Sequence, residues 1–382
     1  MWYPLSSPNA LSSAAIDAGV SVLRSGRTTM GPHVAAFEQQ IAACLDVRHA
    51  VMVNSGSSAN LLAVEALMRP SSGSPAWKVG EEVLVPALAW STTVFPLIQL
   101  GLRPVFCDVD PETLAIDLRS VQRMRSPSTT GVMLIHVLGL PADVDSIATW
   151  CDLHGLELVE DCCEAFGAEG VGQSGVVSTF SHFYSHQLTT MEGGTVVTDD
   201  DALADDLRSM RSHGWTRPRI DKDLWHATHP TLDPSFCFVT TGYNVRPLEI
   251  QGAMGVEQLH GVDAMRQERR LAAETIRAVL APLEDVQVVG SETGACRMNV
   301  PLLVSDRARF VALCAEVGIE TRPIIAGNLL RHPVLLESDY RRDACPVADR
   351  VMAHGVMIGC HAGVHDALDA FQALVSRWSV AA

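Results

Sequence analysis

The sequence predicts an α/β protein, with a large domain built on a mostly parallel central sheet and a smaller C-terminal α+β domain. In the first two-thirds of the 382 residues, short continuous apolar runs alternate with stretches of helical periodicity. Parallel sheets covered by helices produce this pattern, because their strands are buried on both faces. A long, charged helical pattern at 256–283 then leads into a region with its own strand and helix signals. We therefore expect a large domain at 1–255, including an N-terminal arm, and a linker helix plus small domain at 256–382.

Each predicted strand of the large domain is an apolar run bounded by polar or turn-forming residues. These runs lie at 49–54, 82–86, 104–109, 131–137, 156–160, 177–183 and 195–198. Helical periodicity predicts helices at 58–68, 92–101 and 143–154. The C-terminal region has strand signals at 295–304 and 320–325 and helical signals at 305–317 and 364–378. The polar, proline-containing segment 218–235 is predicted to be irregular, with the length typical of a lid or an interface element.

Composition narrows the possible functions. Apolar residues make up 47% of the chain and charged residues 19%, as expected for a globular enzyme with a large core. The formal net charge of −16 argues against non-specific nucleic-acid binding. An anionic substrate would therefore need a local cluster of arginines to offset the overall charge.

The ten cysteines are scattered, and none forms a C-x-x-C or C-x-C pair. Their spacing therefore supports neither a zinc site nor an iron–sulfur site. Scattered cysteines are typical of reduced thiols in a cytosolic protein, so we expect a cytoplasmic location. The start of the chain lacks the basic and apolar regions of a signal peptide, and no apolar run reaches the roughly 18 residues of a membrane span.

The run at 54–60, N-S-G-S-S-A-N, closes one predicted strand and opens a helix. Gly56 permits a tight turn there, and the free N–H groups at a helix start favour a phosphate. The alternative is an ordinary N-cap formed by serines, and the run by itself leaves both interpretations open.

Two other strands are followed by residues suited to a flat, charged ring. Glu160 and Asp161 end one strand, and a carboxylate there can pair with a protonated pyridine nitrogen. The alternative for this pair is helix capping or a surface charge. Trp90 follows another strand, where it can stack on a ring or belong to the core.

His186 lies in the run at 181–194, S-H-F-Y-S-H-Q-L-T-T-M-E-G-G, directly after a predicted strand. An unperturbed imidazole has a pKa of about 6.5 and can exchange protons at neutral pH. A single histidine among fourteen usually has a structural role. The M-E-G-G sequence that follows His186 is the observation that favours a functional role for this histidine. A further run at 241–249 carries Asn244 and Arg246 ahead of a helix, where they can serve a phosphate or a carboxylate.

Together these runs resemble the fold-type-I pyridoxal 5′-phosphate (PLP) enzymes of nucleotide-sugar metabolism, the sugar aminotransferase and dehydratase family. The resemblance extends from 29–31 to 322–328 and so covers nearly the whole chain. In the aminotransferases of this family, a lysine that forms a Schiff base with PLP stands where this chain has His186. The chain contains two lysines, Lys78 and Lys222, and neither lies in such a run. The resemblance therefore implies PLP that is not held covalently and points to an elimination rather than ordinary transamination.

Within this family, the chain resembles the branch of 3-dehydratases that act on a GDP-linked 4-keto-6-deoxymannose in colitose formation. The runs that carry this likeness are 184–186, 190–194, 213–217, 242–249 and 322–328. A second dehydratase branch holds an iron–sulfur cluster through closely spaced cysteines, whereas between His213 and Asn244 this chain has Cys237 alone. The resemblance therefore implies no cluster. Gln187 stands where the cluster-free branch often has a second histidine, and we expect this position to be peripheral.

The resemblance implies that six residues bind the cofactor of their own subunit. Three of them would hold the phosphate of PLP: Gly56, Ser57 and Ser181. The other three would surround the ring, with Trp90 stacked on its face, Asp161 paired with the pyridine nitrogen and Glu164 near the ring hydroxyl.

The resemblance also implies a homodimer whose active sites are shared between subunits. Asn244 would reach the phosphate of the cofactor in the neighbouring subunit. Three residues would bind the sugar substrate or glutamate: His213, Arg217 and Arg246.

The implied reaction removes the C3 hydroxyl of a nucleotide-linked 4-keto-6-deoxyhexose. Glutamate would convert PLP into its amine form, PMP, which would condense with the C4 ketone. His186 would take a proton from the cofactor as the C3 hydroxyl leaves, and hydrolysis would give ammonia, PLP and a 3,6-dideoxy-4-keto sugar. Two alternatives stay open: a nucleotide-sugar 4-aminotransferase with an atypical base, and a non-catalytic homologue that only binds the cofactor.

Overall fold

Two β-sheets organise the chain in a computed structural model that describes residues 2–69 and 76–379. The strands of the larger sheet are β1 (His49–Val53), β2 (Glu82–Pro86), β3 (Arg103–Cys107), β4 (Thr129–Ile135), β5 (Glu157–Asp161), β6 (Val177–Ser181), β7 (Gly194–Thr198) and β11 (Arg341–Arg342). The strands of the smaller sheet are β8 (Val286–Val288), β9 (Asn299–Val304), β10 (Thr321–Arg322) and β12 (Gly355–Gly359). The helices are α1 (Ser13–Ser25), α2 (Pro32–Leu45), α3 (Gly56–Leu67), α4 (Ser91–Gln99), α5 (Leu118–Met124), α6 (Val144–His154), α7 (Asp201–Met210), α8 (Lys222–Thr228), α9 (Glu249–Leu259), α10 (Val262–Leu280), α11 (Arg307–Val317), α12 (Pro346–His354) and α13 (Leu368–Ser379).

The larger sheet has the strand order β1-β7-β6-β5-β4-β2-β3-β11. Neighbouring strands are parallel from β6 to β11, whereas β7 is antiparallel to both β1 and β6. Along β2, Val83 and Val85 face one core cluster while Leu84 faces another, because successive side chains point to opposite sides of a sheet. The predicted α/β fold with a mostly parallel, doubly covered sheet is confirmed.

The smaller sheet is antiparallel, with the order β10-β12-β9-β8. Ile276 of α10, Phe310 of α11 and Phe371 of α13 pack with Leu302 and Ile358 of this sheet in a core of their own. This arrangement agrees with the α+β character predicted for the C-terminal part. The division of the chain at residue 255 stays a proposal, and residues 1, 70–75 and 380–382 of the two proposed domains lie outside the described residues.

The single helix predicted at 256–283 is wrong. Two helices, α9 and α10, occupy this region and are separated at His260 and Gly261. Gly261 is the N-cap of α10, and glycine lowers the helical propensity at the break. The two helices also pack on different parts of the protein: α9 lies against α1 and α2, and α10 lies against the smaller sheet.

The segment 218–235 is not wholly irregular as predicted, because it contains α8. The prolines of this segment lie outside α8, so residues 222–228 can be helical. The indole Nε1 of Trp225 in α8 donates a hydrogen bond to Asp221 Oδ2 at 3.1 Å. The strand predicted at 320–325 is also shorter than expected, since β10 ends before Pro323, which has no N–H to donate to a neighbouring strand.

Strand direction determines where the functional residues meet. Because β1 is antiparallel to β7 and β7 is antiparallel to β6, β1 runs in the same direction as β6, β5 and β2. The segments that follow these four strands therefore emerge at one edge of the sheet, where ligands of open α/β sheets bind. Among the described residues, no helix is both long enough and apolar enough to cross a bilayer.

A buried hydrogen-bond network lies beneath this edge. Glu160 of β5 is fully buried and accepts hydrogen bonds from His136 Nε2 at 3.0 Å and from the N–H groups of Gly172 and Gly175 at 3.0 and 2.6 Å. The Nδ1 atom of His136 accepts from the Ala142 N–H at 3.0 Å, which leaves Nε2 as the donor to Glu160. These bonds oppose the effect of burial and lower the pKa of Glu160. The network holds the loop after β5 in place.

Glu160→Ala should lower the free energy of unfolding by about 3–5 kcal/mol, because it leaves a buried histidine and the N–H groups of Gly172, Ser174 and Gly175 without their acceptor. Urea denaturation at pH 7 measures this loss. The matched control is Glu337→Ala, at an exposed glutamate, for which we expect a change within about 0.5 kcal/mol. A loss below about 1 kcal/mol for Glu160→Ala would contradict the role of the network.

Candidate active site

A cavity of about 1070 Å³ opens at the edge where β1, β2, β5 and β6 end. Residues 4–11 and parts of β9, β10 and β12 complete its wall. The predicted site residues that line it are Gly56, Ser57, Trp90, Asp161, Glu164, Ser181 and His186. The remaining predicted residues do not line it: His213, Arg217, Asn244 and Arg246. The structure thus brings together every residue expected to contact the cofactor of its own subunit.

Gly56 is the first residue of α3 and adjoins Ser181 at the end of β6. A Cβ atom added to Gly56 would lie 2.6 Å from Ser181 Cβ and 2.9 Å from the thiol sulfur of Cys163, closer than side chains approach one another. Glycine therefore allows the start of the helix to meet the end of β6. The side chain of Ser55 caps α3, and the first N–H groups of a helix have no partner within it. With Gly56 and Ser57 on the cavity wall, this corner fits a phosphate.

Asp161 is buried, with 2% of its surface exposed, at the end of β5. Its Oδ2 atom accepts hydrogen bonds from Asn60 Nδ2 at 2.9 Å and from Thr93 Oγ1 at 2.7 Å, and its Oδ1 atom accepts from the Cys163 N–H at 3.1 Å. These three bonds fix the orientation of the carboxylate on the cavity wall. Burial excludes the alternative of a surface charge. A fixed carboxylate here suits a pyridinium N–H.

Trp90 is 52% exposed and lines the cavity, so it does not belong to the core. It directly precedes α4, at the N-cap position. An indole with an uncovered face beside a buried carboxylate fits a flat aromatic ring. With the phosphate corner and Asp161, Trp90 completes a set of residues that fits PLP.

The environment of His186 in the structure shifts its pKa away from the unperturbed value expected from the sequence. Burial lowers the pKa of His186 to about 4, opposed by the Ser181 carbonyl and assisted by the positive charge of Arg269. Nδ1 is buried and, within the described structure, has no hydrogen-bond partner. The imidazole is therefore neutral at pH 7 and able to accept a proton.

Glu164 is 8% exposed, and its Oε2 atom accepts a hydrogen bond from the Leu138 N–H at 2.8 Å. Burial raises the pKa of Glu164 to about 7; the Leu138 N–H opposes this shift and the charge of Asp161 adds to it. A carboxyl group with this pKa can donate a hydrogen bond at neutral pH. The cavity thus holds one ordered carboxylate, Asp161, and one carboxyl group that retains its proton up to about pH 7.

Gln187 is not peripheral, contrary to the expectation from sequence. Its side chain is 7% exposed, and Nε2 donates hydrogen bonds to the carbonyl oxygens of Glu164 and Cys296 at 2.5 and 2.9 Å. Gln187 therefore ties the loop that carries His186 to the segment that carries Glu164. Two carbonyl acceptors require a donor at this position, which the amide of glutamine supplies.

No lysine lines the cavity within residues 2–69 and 76–379. Lys78 precedes β2 and Lys222 begins α8, and both are exposed. Neither therefore lies on the wall of the cavity of its own chain.

The predicted residues that do not line the cavity form a second group around Trp215. The imidazole of His213 lies 5.2 Å from the Trp215 ring, and the guanidinium carbons of Arg217 and Arg246 lie 5.3 and 5.9 Å from it. Asn244 Oδ1 accepts a hydrogen bond from Arg246 Nε at 3.0 Å. We call these five residues the Trp215 cluster. His213, Arg217 and Asn244 of this cluster are exposed and the other two residues are half-buried, and none of the five lines the cavity of its own chain.

Sequence reasoning assigned no role to the N-terminal segment 4–11, which forms one side of the cavity. The Leu5 N–H donates to Glu320 Oε2 at 3.0 Å, and Asn299 Nδ2 donates to the Leu5 carbonyl at 3.0 Å. At the other end, Gln258 Nε2 donates to the Ala10 carbonyl at 2.7 Å. The segment lacks helical or strand periodicity, so the sequence contains no signal for this position. Asn60 and Thr93, which hold Asp161, were also missed, because their partner is distant in sequence.

Comparison with known proteins agrees with this geometry. A sequence profile described as the DegT/DnrJ/EryC1/StrS aminotransferase family matches residues 10–371. GDP-4-keto-6-deoxy-D-mannose 3-dehydratase of Yersinia pseudotuberculosis is 37% identical over 353 residues, which cover 89% of this chain and 89% of that protein.

Two solved structures are similar over almost their whole length. The Escherichia coli GDP-4-keto-6-deoxy-D-mannose-3-dehydratase with bound hydrated PLP superposes with a TM-score of 0.89 at 35% identity, covering 97% of this chain and 99% of that one. A GDP-4-keto-6-deoxymannose-3-dehydratase with a trapped PLP-glutamate geminal diamine gives 0.88 at 35% identity, covering 97% and 100%. The fold is therefore shared with proteins whose structures contain bound PLP or a PLP-glutamate adduct.

Glu164→Gln should change the pH dependence of stability in a defined direction. The pKa of Glu164 is raised from 4.5 to about 7 on folding, so its contribution is present below pH 4.5 and is lost as the pH rises through 7. Glutamine keeps the acceptor for Leu138 and cannot ionise. The variant should therefore gain about 3 kcal/mol relative to the parent between pH 5 and pH 8.5.

Urea denaturation of the cofactor-free protein at the two pH values measures this gain. Glu192→Gln, at an exposed glutamate on the same cavity wall, is the matched control and should show no such trend. Equal pH dependence of the Glu164→Gln variant and the parent would show that Glu164 ionises normally.

Proposed function

The chain belongs to the DegT/DnrJ/EryC1/StrS aminotransferase family, and we propose that it is a PLP- and glutamate-dependent 3-dehydratase of a nucleotide-linked 4-keto-6-deoxyhexose. The substrate is GDP-4-keto-6-deoxy-D-mannose, by similarity to relatives that bear this name. The product is the corresponding 3,6-dideoxy-4-keto sugar. The observation that carries the proposal is a neutral imidazole, His186, on the wall of a cavity in which the described residues include no lysine.

A histidine in place of a lysine changes which product is favoured. A lysine would recapture the cofactor as a Schiff base and favour leaving the nitrogen on the sugar, which is transamination. An imidazole forms no such bond, so the nitrogen-containing intermediate stays free to eliminate and hydrolyse. Lys78 and Lys222 are exposed and do not line the cavity. This difference favours the dehydratase over the 4-aminotransferase alternative.

Different residues of the cavity bind the phosphate, the ring nitrogen and the ring face of the cofactor, and none of them forms a covalent bond with it. The start of α3, with Ser57 and Ser181, receives the phosphate. Asp161 pairs with the pyridine nitrogen and Trp90 covers one face of the ring. When bound, PMP supplies an amine for the C4 ketone and a ring that withdraws electrons from the bonds being broken.

His186 moves the proton on which the elimination depends. With PMP bound, the neutral imidazole of His186 would accept the proton that leaves the cofactor. The C3 hydroxyl leaves with a proton, which the same imidazole can supply. Glutamate would be the amino donor and would leave as 2-oxoglutarate, and the nitrogen would leave as ammonia.

We propose that two copies of the chain pair and share their cavities. Within the part of the chain that the structure describes, Arg322 is the sole arginine on the cavity wall, whereas four acidic side chains line it: Asp161, Glu164, Glu192 and Glu320. The cofactor phosphate, the nucleotide diphosphate and glutamate are all anionic and need further cations. The Trp215 cluster of one subunit supplies them to the other, with Asn244 on the cofactor phosphate and with His213, Arg217 and Arg246 on the substrate or glutamate.

The surface beside the Trp215 cluster is suited to pairing. The sequence segments next to the residues of this cluster carry large apolar side chains with more than two-fifths of their area exposed: Ile220, Leu224, Leu232, Phe236, Phe238 and Leu248. Exposed apolar groups of this kind mark protein interfaces. A symmetric dimer would cover them while it delivers the cluster to the partner.

We also propose a cytoplasmic location. All ten cysteines are free thiols, and eight of them are buried. Free thiols persist where the compartment is reducing.

Product analysis tests the proposed reaction directly. Protein with PLP, glutamate and GDP-4-keto-6-deoxy-D-mannose should release ammonia and a 3-deoxy sugar, whereas a stable 4-amino sugar would identify an aminotransferase. A panel of other nucleotide-linked 4-keto-6-deoxyhexoses, run in parallel, determines the preferred nucleotide and sugar.

His186→Ala should lower the rate of C3 deoxygenation by about 10²–10⁴-fold, because the proton acceptor is lost. PLP should still bind, since the residues proposed to hold it are unchanged; its absorbance on titration into the protein checks this. His365→Ala, at an exposed histidine outside the cavity, is the control and should keep the parental rate. Full deoxygenation by His186→Ala would remove His186 from the mechanism.

Mixing two inactive variants tests the shared site. His186→Ala and Asn244→Ala each disable a different half of the same site, so a mixed dimer holds one intact site. After subunit exchange at equal concentrations, about a quarter of the parental activity should return. Light scattering and a tagged copy verify the dimer and the exchange. No recovery despite complete exchange would place all the site residues in one chain.

A further inference from the structure

The tip of the loop between β6 and β7, residues 183–188, carries His186. At the base of this loop the Thr190 N–H donates a hydrogen bond to the His182 carbonyl at 2.9 Å. In the described structure, the tip makes hydrogen bonds beyond its own loop and the ends of the two strands only through Gln187. The polar anchor of the tip is therefore the residue directly after His186.

The hydrogen bonds of Gln187 reach two other segments of the fold. Its Nε2 atom donates to the Glu164 carbonyl at 2.5 Å and to the Cys296 carbonyl at 2.9 Å. Glu164 lies in the loop after β5, and Cys296 lies shortly before β9. Leu188, next in the chain, is buried in a core cluster, so the tip is also fixed just beyond the amide.

These two bonds close a ring of hydrogen bonds. Glu164 Oε2 accepts from the Leu138 N–H at 2.8 Å, and the Leu138 carbonyl accepts from the Met298 N–H at 2.9 Å. Met298 is two residues from Cys296, whose carbonyl leads back to Gln187. We call these five residues the Gln187 ring. It joins the loop tip to Glu164 and Met298, which both line the cavity.

The surrounding structure makes the Gln187 ring rigid. Leu138 has φ of 51°, in the left-handed region, and such strain persists where neighbouring groups enforce it. A Cβ atom added to the adjacent Gly139 would overlap the Cys296 carbonyl, so this close approach requires glycine. From another side, Arg269 Nη1 donates to the Met298 carbonyl at 3.1 Å. The ring cannot shift without breaking several of these contacts.

His186 needs support of this kind from its backbone. A general base must lie within hydrogen-bond reach of the proton that it accepts, and a displacement of 1 Å can lower a rate by about 10²-fold. Within the described structure, the buried Nδ1 atom of His186 has no hydrogen-bond partner. No group at Nδ1 therefore orients the imidazole, and its placement depends on the loop that Gln187 anchors.

We propose that Gln187 is a positioning residue that fixes His186 for proton transfer through the ring of hydrogen bonds that its amide closes. This assignment rests on the proposed function and adds to it the group that orients the base. Gln187 does not line the larger cavity, which contains the proposed cofactor site. Its loss should therefore slow the chemical step and leave ligand binding largely unchanged.

Gln187→Met tests this assignment, because methionine has a similar length but donates no hydrogen bond. The kcat of C3 deoxygenation should fall by about 10–100-fold, whereas KM and PLP affinity should stay within about threefold of the parental values. Gln173→Met is the matched control, since Gln173 Nε2 donates to the Leu45 carbonyl at 2.8 Å outside the cavity, and it should keep the parental kcat. A parental kcat for Gln187→Met would overturn the proposal.

A double-mutant cycle separates positioning from a general structural role. In a His186→Ala background, Gln187→Met should cause no further loss, because no imidazole remains to be positioned. If the residual rate fell again by the same factor, Gln187 would act independently of His186 and the proposal would fail. Gln187→Asn is the second variant, should Gln187→Met not fold. Its amide is one methylene too short to reach both carbonyls, so kcat should fall by about threefold or more.

NMR of cofactor-free protein with isotopically labelled histidine gives a readout that does not depend on turnover. Burial holds the pKa of His186 at about 4, so its signal, identified by its absence in His186→Ala, should not titrate from about pH 5.5 to about pH 8. In Gln187→Met the ring should become accessible to water and titrate nearer the ordinary pKa of about 6.5. The charged neighbours Arg269 and Glu268 are unchanged, so this shift reports the burial of the ring.

The two readouts distinguish failure of this assignment from failure of the proposed function. If the parent protein deoxygenates no sugar of the panel, the proposed function fails, and the NMR comparison still tests the link between Gln187 and His186. An identical His186 signal in the parent and in Gln187→Met would show that the ring of hydrogen bonds does not hold the imidazole.

Discussion

Because β1, β6, β5 and β2 run in the same direction, the residues that follow them reach one edge of the larger sheet. Every other feature of the cavity depends on this arrangement. It places the start of α3 beside Ser181, and Asp161 beside the chain that leads to Trp90. β7 lies between β1 and β6 and is antiparallel to both, so β1 runs in the same direction as β6. This position of β7 is essential, because two neighbouring parallel strands would need a long crossover connection.

Desolvation sets the chemical state of the cavity. Burial disfavours charge on both His186 and Glu164, so at pH 7 the first is an uncharged base and the second still holds its proton in part. Asp161, with 2% of its surface exposed, receives three hydrogen bonds that fix the orientation of its side chain. Neighbouring groups in one cavity thus take up different roles through their contacts. The chain's net charge of −16 makes the separate cationic cluster around Trp215 more important for anionic ligands.

The sequence predicts the sheet and seven of the residues that line the cavity, because these lie in short local patterns. The glycine of a strand–helix turn, the acid at a strand end and the histidine before M-E-G-G each depend on neighbours in the chain. The environment of His186 was not predictable, since its burial depends on distant segments. The partners of Asp161 and the position of residues 4–11 depend on contacts across the fold in the same way. The break at Gly261 was missed because the apolar pattern continues through it.

One short element of the fold has a consequence for how the protein is made. β11 pairs with β3, with Arg341 opposite Val105 and Arg342 opposite Phe106, and forms the last strand on that side of the larger sheet. During synthesis, more than 200 residues separate the emergence of β3 from that of its partner. Throughout that interval the unpaired peptide groups of β3 remain open to pairing with other chains. A nascent polypeptide shortened before residue 341 would leave Val105 and Phe106 without these strand partners permanently.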